Sequence, residues 1–324
     1  MKLSIIIVSW NVKKDLAQCL DSIRTNQTNH EHEIIVVDNA SSDGTVEMVS
    51  QNYPKVRLIA NQQNTGFGAA NNQGVKISQG HYLLFLNPDT IVHAEALDTL
   101  IDFMDDNTNV GICSPKLLNS DGTTQGSIRS FPTFRAILYR HTIFRQLGIF
   151  RKDYKKWMMR DFAYDLISDV DQPAGAALMT RASALKQVDD NGFDENFFMY
   201  FEEVDLCYRI KQAGWRIVFI PTSQITHLGG RSAEQIPSHI RMMMLQSMFI
   251  FFKKHRSKGS NLAFKFILKP TAILRDMINI IIGSATYIVT LLTLDKKRRK
   301  KAAGKIRNAT GFLAKYSFEL LFKT

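Results

Sequence analysis

Cysteine is scarce: the chain of 324 residues has three, Cys19, Cys113 and Cys207, far apart. None forms a Cys-x-x-Cys pair and none has a histidine at ligand spacing. This argues against a disulfide framework or a zinc site and for a reducing, cytosolic setting, with all three thiols as small buried side chains. The N-terminus shows no basic segment followed by a cleavable apolar run, so no secretory signal is expected. No glycine-rich loop bearing Arg or Lys follows the first apolar run, Leu3–Val8; the next residues are Ser9-Trp10-Asn11. That weighs against a cradle for a nucleoside triphosphate. Internal repeats and low-complexity tracts are also missing.

Charge of one sign is missing locally. The formal charge is +11, from 41 Lys and Arg against 30 Asp and Glu. From Met1 to Ile250 there are 24 basic and 27 acidic residues; from Phe251 to Thr324, 17 and 3. The basic character belongs to the C-terminal end, and the body is nearly neutral.

What the body does have is a regular alternation of apolar strands and amphipathic helices. Leu3–Val8, Ile34–Val37, Val56–Ala60, Tyr82–Leu86 and Val110–Ser114 read as strands. Asp15–Arg24, Thr45–Asn52, Gly68–Gln79 and Ala94–Asp106 read as helices between them. This predicts an α/β, Rossmann-like fold, a mostly parallel sheet with helices on both faces. Lys116–Asp171 has no steady period and is expected as a long, partly helical insertion. Further on, Pro173–Thr180, Trp215–Ile220 and Gln224–His227 read as strands, and Arg181–Val188 and Glu203–Ala213 as helices.

Tyr82–Leu86 is the stretch around which the rest is arranged. Asn87 and Pro88 end it, because proline cannot donate to a sheet ladder. Asp89 then stands at the carboxyl end of a central strand, where open α/β sheets bind ligands. A carboxylate there suits a hard divalent cation shared with substrate phosphates; it could equally cap the next helix, as could Thr90. Asp38, after Ile34–Val37, can accept hydrogen bonds from a base or ribose. Asn64-Thr65-Gly66-Phe67-Gly68 is a small-residue loop entering a helix, open enough for a nucleotide diphosphate to approach the backbone. Glu202, Glu203 and Asp205 open a helix, where the dipole favours acids. The preceding aromatics, Phe197 to Phe201, would wall a pocket and raise a carboxylate toward the range of a general base. His227 is followed by two glycines, which suggests close backbone approach to a ligand.

Taken together, Ile5-Ile6-Ile7-Val8-Ser9-Trp10-Asn11, Asp38–Gly44, Asn64–Gly68, Asn87-Pro88-Asp89, Phe193–Arg209 and His227 resemble a family 2 glycosyltransferase of the GT-A fold, closest to bacterial rhamnosyltransferase-like members. The resemblance covers roughly Leu3 to Gly230. It implies an inverting transfer from a nucleotide-sugar, with Mg²⁺ or Mn²⁺ held by Asp89 and His227. Asp89 matches the last acid of the family's Asp-x-Asp motif, and Asn87 replaces the first. Glu203 matches the catalytic base, supported by Asp205 with Glu202 beside it. Asp38 would contact the uracil or thymine ring and Ser9 the nucleoside. The other donor-site candidates in these motifs are Asn11, Asn39, Asn64, Gly66, Gly68, Asn71 and Asn87. Tryptophan stands only at 10, 157 and 215, so the Gln-x-x-Arg-Trp motif of the processive members is absent. A single-addition enzyme is expected.

Residues 1–230 would then form the catalytic domain and 231–324 a membrane-associating region. Met277–Leu294 is free of charge, and Asp295-Lys296-Lys297-Arg298-Arg299-Lys300-Lys301 follows at once. A helix lying in the cytosolic interface would set those charges on anionic headgroups. So much uninterrupted apolar sequence argues against a nucleic-acid arm. The resulting expectation is an enzyme on the cytoplasmic face of the cell membrane. It would use a TDP- or UDP-sugar and a polyprenyl-linked glycan acceptor in surface polysaccharide synthesis, and could pair with a second copy through its tail.

Overall fold

The computed structural model describes residues 1–189, 192–229, 237–293 and 295–322; Gly230 and Leu294, named above, lie outside these. The first half alternates as its pattern predicts: β1 (Leu3–Ser9), α1 (Lys13–Thr25), β2 (His32–Asp38), α2 (Thr45–Asn52), β3 (Arg57–Ala60), α3 (Phe67–Ile77) and β4 (Tyr82–Leu86). There follow β5 (Thr90–Val92), α4 (Ala96–Asp106), β6 (Val110–Leu118), β7 (Ile128–Arg129), α5 (Phe134–His141), α6 (Arg151–Met158), β8 (Ser168–Asp169) and β9 (Gln172–Pro173). The chain ends with β10 (Ala177–Arg181), α7 (Ala182–Val188), α8 (Glu202–Gln212), β11 (Arg216–His227), α9 (Pro237–His255), α10 (Lys258–Leu292) and α11 (Lys296–Phe322).

Two compact units result. One is Met1–Phe131 with Met158–Glu234, and the other is Pro132–Trp157 with Gln235–Thr324. The unpatterned insertion is therefore divided: α5 and nearly all of α6 belong with the C-terminal helices.

The first unit is built on a nine-stranded sheet in the order β3-β2-β1-β4-β10-β6-β11-β5, with β8 paired to β11. From β3 to β4 every pairing is parallel, and β6 and β11 are parallel to each other; β10, β5 and β8 run antiparallel to their partners. The apolar strands read as continuous because both sheet faces are covered. Leu3, Ile5, Ile7, Leu84 and Leu86 enter one core, and Ile6, Val8, Leu83 and Phe85 enter the other. Alternate residues of a strand point to opposite faces, and each fully buried Leu or Ile stabilises by roughly 1.5–3 kcal/mol.

Three expectations need correction. Thr90–Val92 is a strand, so neither Asp89 nor Thr90 caps the next helix; α4 begins at Ala96, after Glu95 in a left-handed conformation with no side-chain cap. The stretches at 215–220 and 224–227 are one strand, β11, with a register shift against β6 between Ile220 and Gln224. Residues 173–180 divide between β9 and β10, with Ala174–Ala176 running between them.

In the second unit Phe134 stacks on Phe264 at 4.6 Å and meets Phe252 at 4.5 Å. The uncharged run from Met277 is the second half of α10, which is long and apolar enough to cross a membrane by length and composition; 17% of its most apolar window is buried. The basic run is the first two turns of α11, capped by Asp295, whose Oδ1 accepts the Arg298 amide at 2.9 Å. All three cysteines are buried and free.

Candidate active site

β1, β2 and β4 are adjacent and parallel, so their carboxyl ends bring three of the sequence motifs to one edge. Ser9 stands in register with Asp38, and two strand spacings, about 10 Å, separate Asp38 from the end of β4. Asp38 is buried; its Oδ2 accepts the Ser41 amide at 2.9 Å. Its Oδ1 and the Ser9 hydroxyl are buried and have no hydrogen-bond partner among the described residues. A buried polar atom without a partner is costly, and a ligand at this edge would supply one.

Other members of the donor-site group are occupied by the fold. Asn11, at φ 53°, accepts the Ser42 amide on its side-chain oxygen at 2.8 Å. Asn39 donates to Asn64 Oδ1 and the Gly66 carbonyl, and accepts from Asn61 and from the Thr65 amide and hydroxyl. It is a clamp between two loops. Asn64 also accepts the Gly66 amide, and Asn71 donates to the Phe67 carbonyl one turn back.

The two glycines have a different reason from the one expected. A Cβ on Gly66, at φ +90°, would lie 2.6 Å from the Phe198 carbonyl oxygen, and one on Gly68 would lie 3.2 Å from Phe193 Cβ. Phe198 O also accepts the Phe67 amide at 2.8 Å. The space a nucleotide was expected to use at these glycines is thus filled by the 193–201 loop. Asn72 fixes the same loop, bonding both backbone groups of Phe193 and the Glu195 carboxylate.

β5 pairs with the end of β11 so that Thr90 faces His227, which sets Asp89 beside the imidazole. Asp89 Oδ1 lies 3.4 Å from His227 Nε2, and Asn87 Nδ2 3.5 Å from the same nitrogen. The other ring nitrogen, Nδ1, is 2.8 Å from Gln125 Oε1. Gln125's amide nitrogen donates to Asn119 Oδ1 and to the His227 carbonyl, which assigns its oxygen to the ring. In the neutral ring this puts the proton on His227 Nδ1 and turns the Nε2 lone pair toward the Asp89 carboxylate. A carboxylate and an imidazole side by side, with the histidine oriented by a carbonyl, are groups that could serve as donors to a divalent cation. Among the described residues no group of three or more His, Cys, Asp and Glu could hold a metal. A cation here could take at most these two described side chains as ligands, and the rest would come from substrate phosphates and water.

Glu202 and Glu203 open α8, immediately after Tyr200 and Phe201, which are both left-handed at φ 68°. Two consecutive non-glycine residues there store strain of about 1–3 kcal/mol each. Glu202 is buried, and its Oε2 and that of Glu203 have no partner among the described residues. Burial raises both carboxyls above their ordinary value; Glu202 lies well above, pushed further by the Glu203 charge, whereas backbone amides at the head of α8 offset part of the rise at Glu203. Glu202 therefore keeps a proton more readily, and Glu203 is the better anion. Asp205 is fully buried and taken: Arg209 Nε donates to it at 2.7 Å, and the same guanidinium donates to the Gly192 carbonyl. Through Arg209 it ties α8 to the loop at Gly192.

Asn87, two residues before Asp89, and Glu203 both meet the Ala174–Ala176 segment. The Asn87 amide donates to the Ala176 carbonyl at 2.9 Å, and a Cβ on Gly175 would lie 3.2 Å from Glu203 Cβ. Sequence reasoning missed Gln125 and Gly175. Neither carries a local signal, because each earns its place through partners 102 and 28 residues away, the first given by the hydrogen bond to His227 and the second by the packing on Glu203.

The profile of Glycosyl transferase family 2 matches residues 4–184, more than half of the chain. An N-acetylglucosaminyl-diphospho-decaprenol L-rhamnosyltransferase of Mycobacterium tuberculosis is 26% identical over 92% of this chain and 96% of its own length. The rhamnosyltransferase WbbL of Escherichia coli K12 is 28% identical over 78% of this chain and 93% of its own. Among solved structures, the mannosyltransferase PcManGT from Pyrobaculum calidifontis, in complex with GDP-Man and Mn²⁺, superposes with a TM-score of 0.55 at 16% identity. It covers all of this chain and 88% of its own. The shared fold is GT-A.

Proposed function

Because the chain belongs to glycosyl transferase family 2, we propose that it is an inverting enzyme moving rhamnose or a related hexose or deoxyhexose from a TDP- or UDP-sugar. The acceptor would be a hydroxyl of a polyprenyl-linked glycan, in bacterial surface polysaccharide synthesis. The observation that carries the reading is that Asp89, set against His227, stands two residues past Asn87, which bonds Ala176, while Glu203, with one carboxylate oxygen unpartnered among the described residues, packs on Gly175 of the same segment.

Asp38 and Ser9 would receive the base and ribose on their free oxygens. Asp89 and His227 would hold a Mg²⁺ or Mn²⁺, whose chemistry when bound is to offset charge on a departing diphosphate. Glu203 would take the acceptor hydroxyl's proton as that oxygen attacks the anomeric carbon, and the single displacement inverts it. Glu202, holding its own proton, keeps a second negative charge away from the base. Asp205, through Arg209, fixes the helix that carries both.

The named acceptor of the Mycobacterium relative, the unbroken similarity to it over nearly the whole chain and the apolar, cationic C-terminal unit all support a lipid-linked acceptor. The missing Gln-x-x-Arg-Trp motif supports a single addition. The test is a screen of nucleotide-sugars with a polyprenyl-diphosphate-linked glycan and Mg²⁺ or Mn²⁺. One donor should be consumed with an inverted anomeric centre in the product, and Glu203→Gln should abolish this while binding the donor normally. A variant as active as the parent would remove the base assignment.

A further inference from the structure

The helical unit contains a polar cavity that sugar transfer does not use. It has a volume of about 240 Å³ and is lined by Arg241 on α9, Arg275, Asp276 and Asn279 on α10, and Lys305 and Asn308 on α11, with Phe312 at one side. Asp276 is the single acid among these described lining residues, against three cations. It is already engaged by both arginines, accepting from Arg241 at 2.6 Å and from Arg275 at 3.2 Å.

Arg241 is the most constrained of the group. Its guanidinium lies 3.9 Å from the Phe312 ring centroid, one nitrogen donates to Asp276, and the other two, Nε and Nη2, are buried with no partner among the described residues. A planar donor fork with two buried N–H groups unanswered is a site lacking its acceptor. Asp276, shared with Arg275, is the one carboxylate paired with it among the described residues. His141 on α5 is buried, and burial together with Arg140, Arg275 and Arg241 holds its imidazole well below the usual range, so it adds a neutral ring. Burial and the Arg275 charge push Arg241 down to about 10, against the opposing pull of Asp276.

We propose that this cavity binds a phosphate group through Arg241, Arg275 and Lys305, and that the phosphate is a lipid headgroup's. The chemistry follows from the donors: forked guanidiniums match phosphate oxygens two at a time, an ammonium adds a point charge, and Asn279 and Asn308 supply neutral donors. The source follows from the surroundings. Met277, Ile281 and Ile282, on the helix that carries Arg275 and Asn279, are large apolar side chains left exposed. A cationic pocket beside an exposed apolar helix face is the arrangement that meets a headgroup at the acyl boundary. This does not depend on which sugar is transferred.

The test is thermal denaturation of the detergent-solubilised full chain, titrated with dihexanoyl phosphatidic acid, dihexanoyl phosphatidylcholine or inorganic phosphate. The phosphatidic acid should raise Tm saturably. Phosphatidylcholine should not, and inorganic phosphate should act only at much higher concentration. Arg275→Gln and Lys305→Gln should each weaken the phosphatidic acid effect by about tenfold, with Lys258→Gln, outside the cavity, as the charge-matched control. Lys305 is exposed, so its variant reports even if Arg275→Gln does not fold. Inorganic phosphate acting as tightly as the lipid would overturn the lipid source. No effect of any ligand, or an equal effect in Lys305→Gln and the parent, would overturn the site.

Discussion

Glu202 and Glu203 are neighbours in the chain but not equivalent in chemistry. Glu202 is enclosed and faces the Glu203 charge, whereas Glu203 receives help from backbone amides at the start of α8. In the proposed mechanism Glu203→Gln lowers kcat by roughly 10²–10⁴, the usual contribution of a positioned general base. The folded pKa of each carboxyl is raised. Between the ordinary carboxyl range and that raised value the native state therefore binds more protons than the unfolded chain, and stability falls as pH rises through this window. Glu202→Gln removes its share of the fall. Melting curves from pH 4 to pH 8, as a window around the ordinary carboxyl value of about 4, should show a shallower decline for the variant than for the parent. At the other acid site, Gln125→Ala frees His227 from its orienting bond and should weaken Mn²⁺ binding about 10–100-fold, as loss of a histidine's outer partner commonly does. Calorimetric titration with Mn²⁺ and a nucleoside diphosphate checks this.

Elements explain which of these features the sequence could reveal. β1, β2 and β4 were legible because an unbroken apolar run has one stable home, a strand covered on both faces, and their carboxyl ends follow from parallel pairing. β5 was not, since its three residues gain strand character only from pairing with β11. The Gly66 loop was legible as a tight turn but not in its purpose: the partner that needs the missing Cβ is Phe198, far along the chain. Gly66→Ala should thus destabilise the first unit by about 1–3 kcal/mol through strain and the clash with the Phe198 carbonyl. It should also displace the loop leading into Glu203. Chemical denaturation measures the first effect, and a fall in kcat larger than any rise in KM the second. Asp205 was visible as a third acid at a helix start. Its pairing with Arg209 one turn on was open to inference from the i, i+4 spacing, and it separates a positioning carboxylate from a reacting one.

On the scale of the molecule, the charge division of the sequence is real in the structure. A net acidic α/β unit, with 16 basic and 26 acidic residues, carries the acid sites, and a helical unit, with 25 and 4, carries the apolar and basic surface. The eighteen-residue uncharged run gave only the end of α10; its first half, with charges interspersed, has no comparable signal and is helical through packing on α9 and α11. If the exposed face of α10 meets the membrane, replacing Ile281, Ile282, Ile288 and Val289 with serine should move the protein from the membrane fraction to the soluble one. Unchanged sedimentation with vesicles would remove the membrane assignment while leaving the sugar chemistry untouched. The most direct measurement on that chemistry is anomalous diffraction from crystals grown with Mn²⁺ and UDP or TDP. It should show a manganese peak joined to Asp89, His227 and the diphosphate, with the base against Asp38 and the Glu203 carboxylate open to the same cleft. A peak away from Asp89 and His227, or a nucleotide on another face of the sheet, would contradict it.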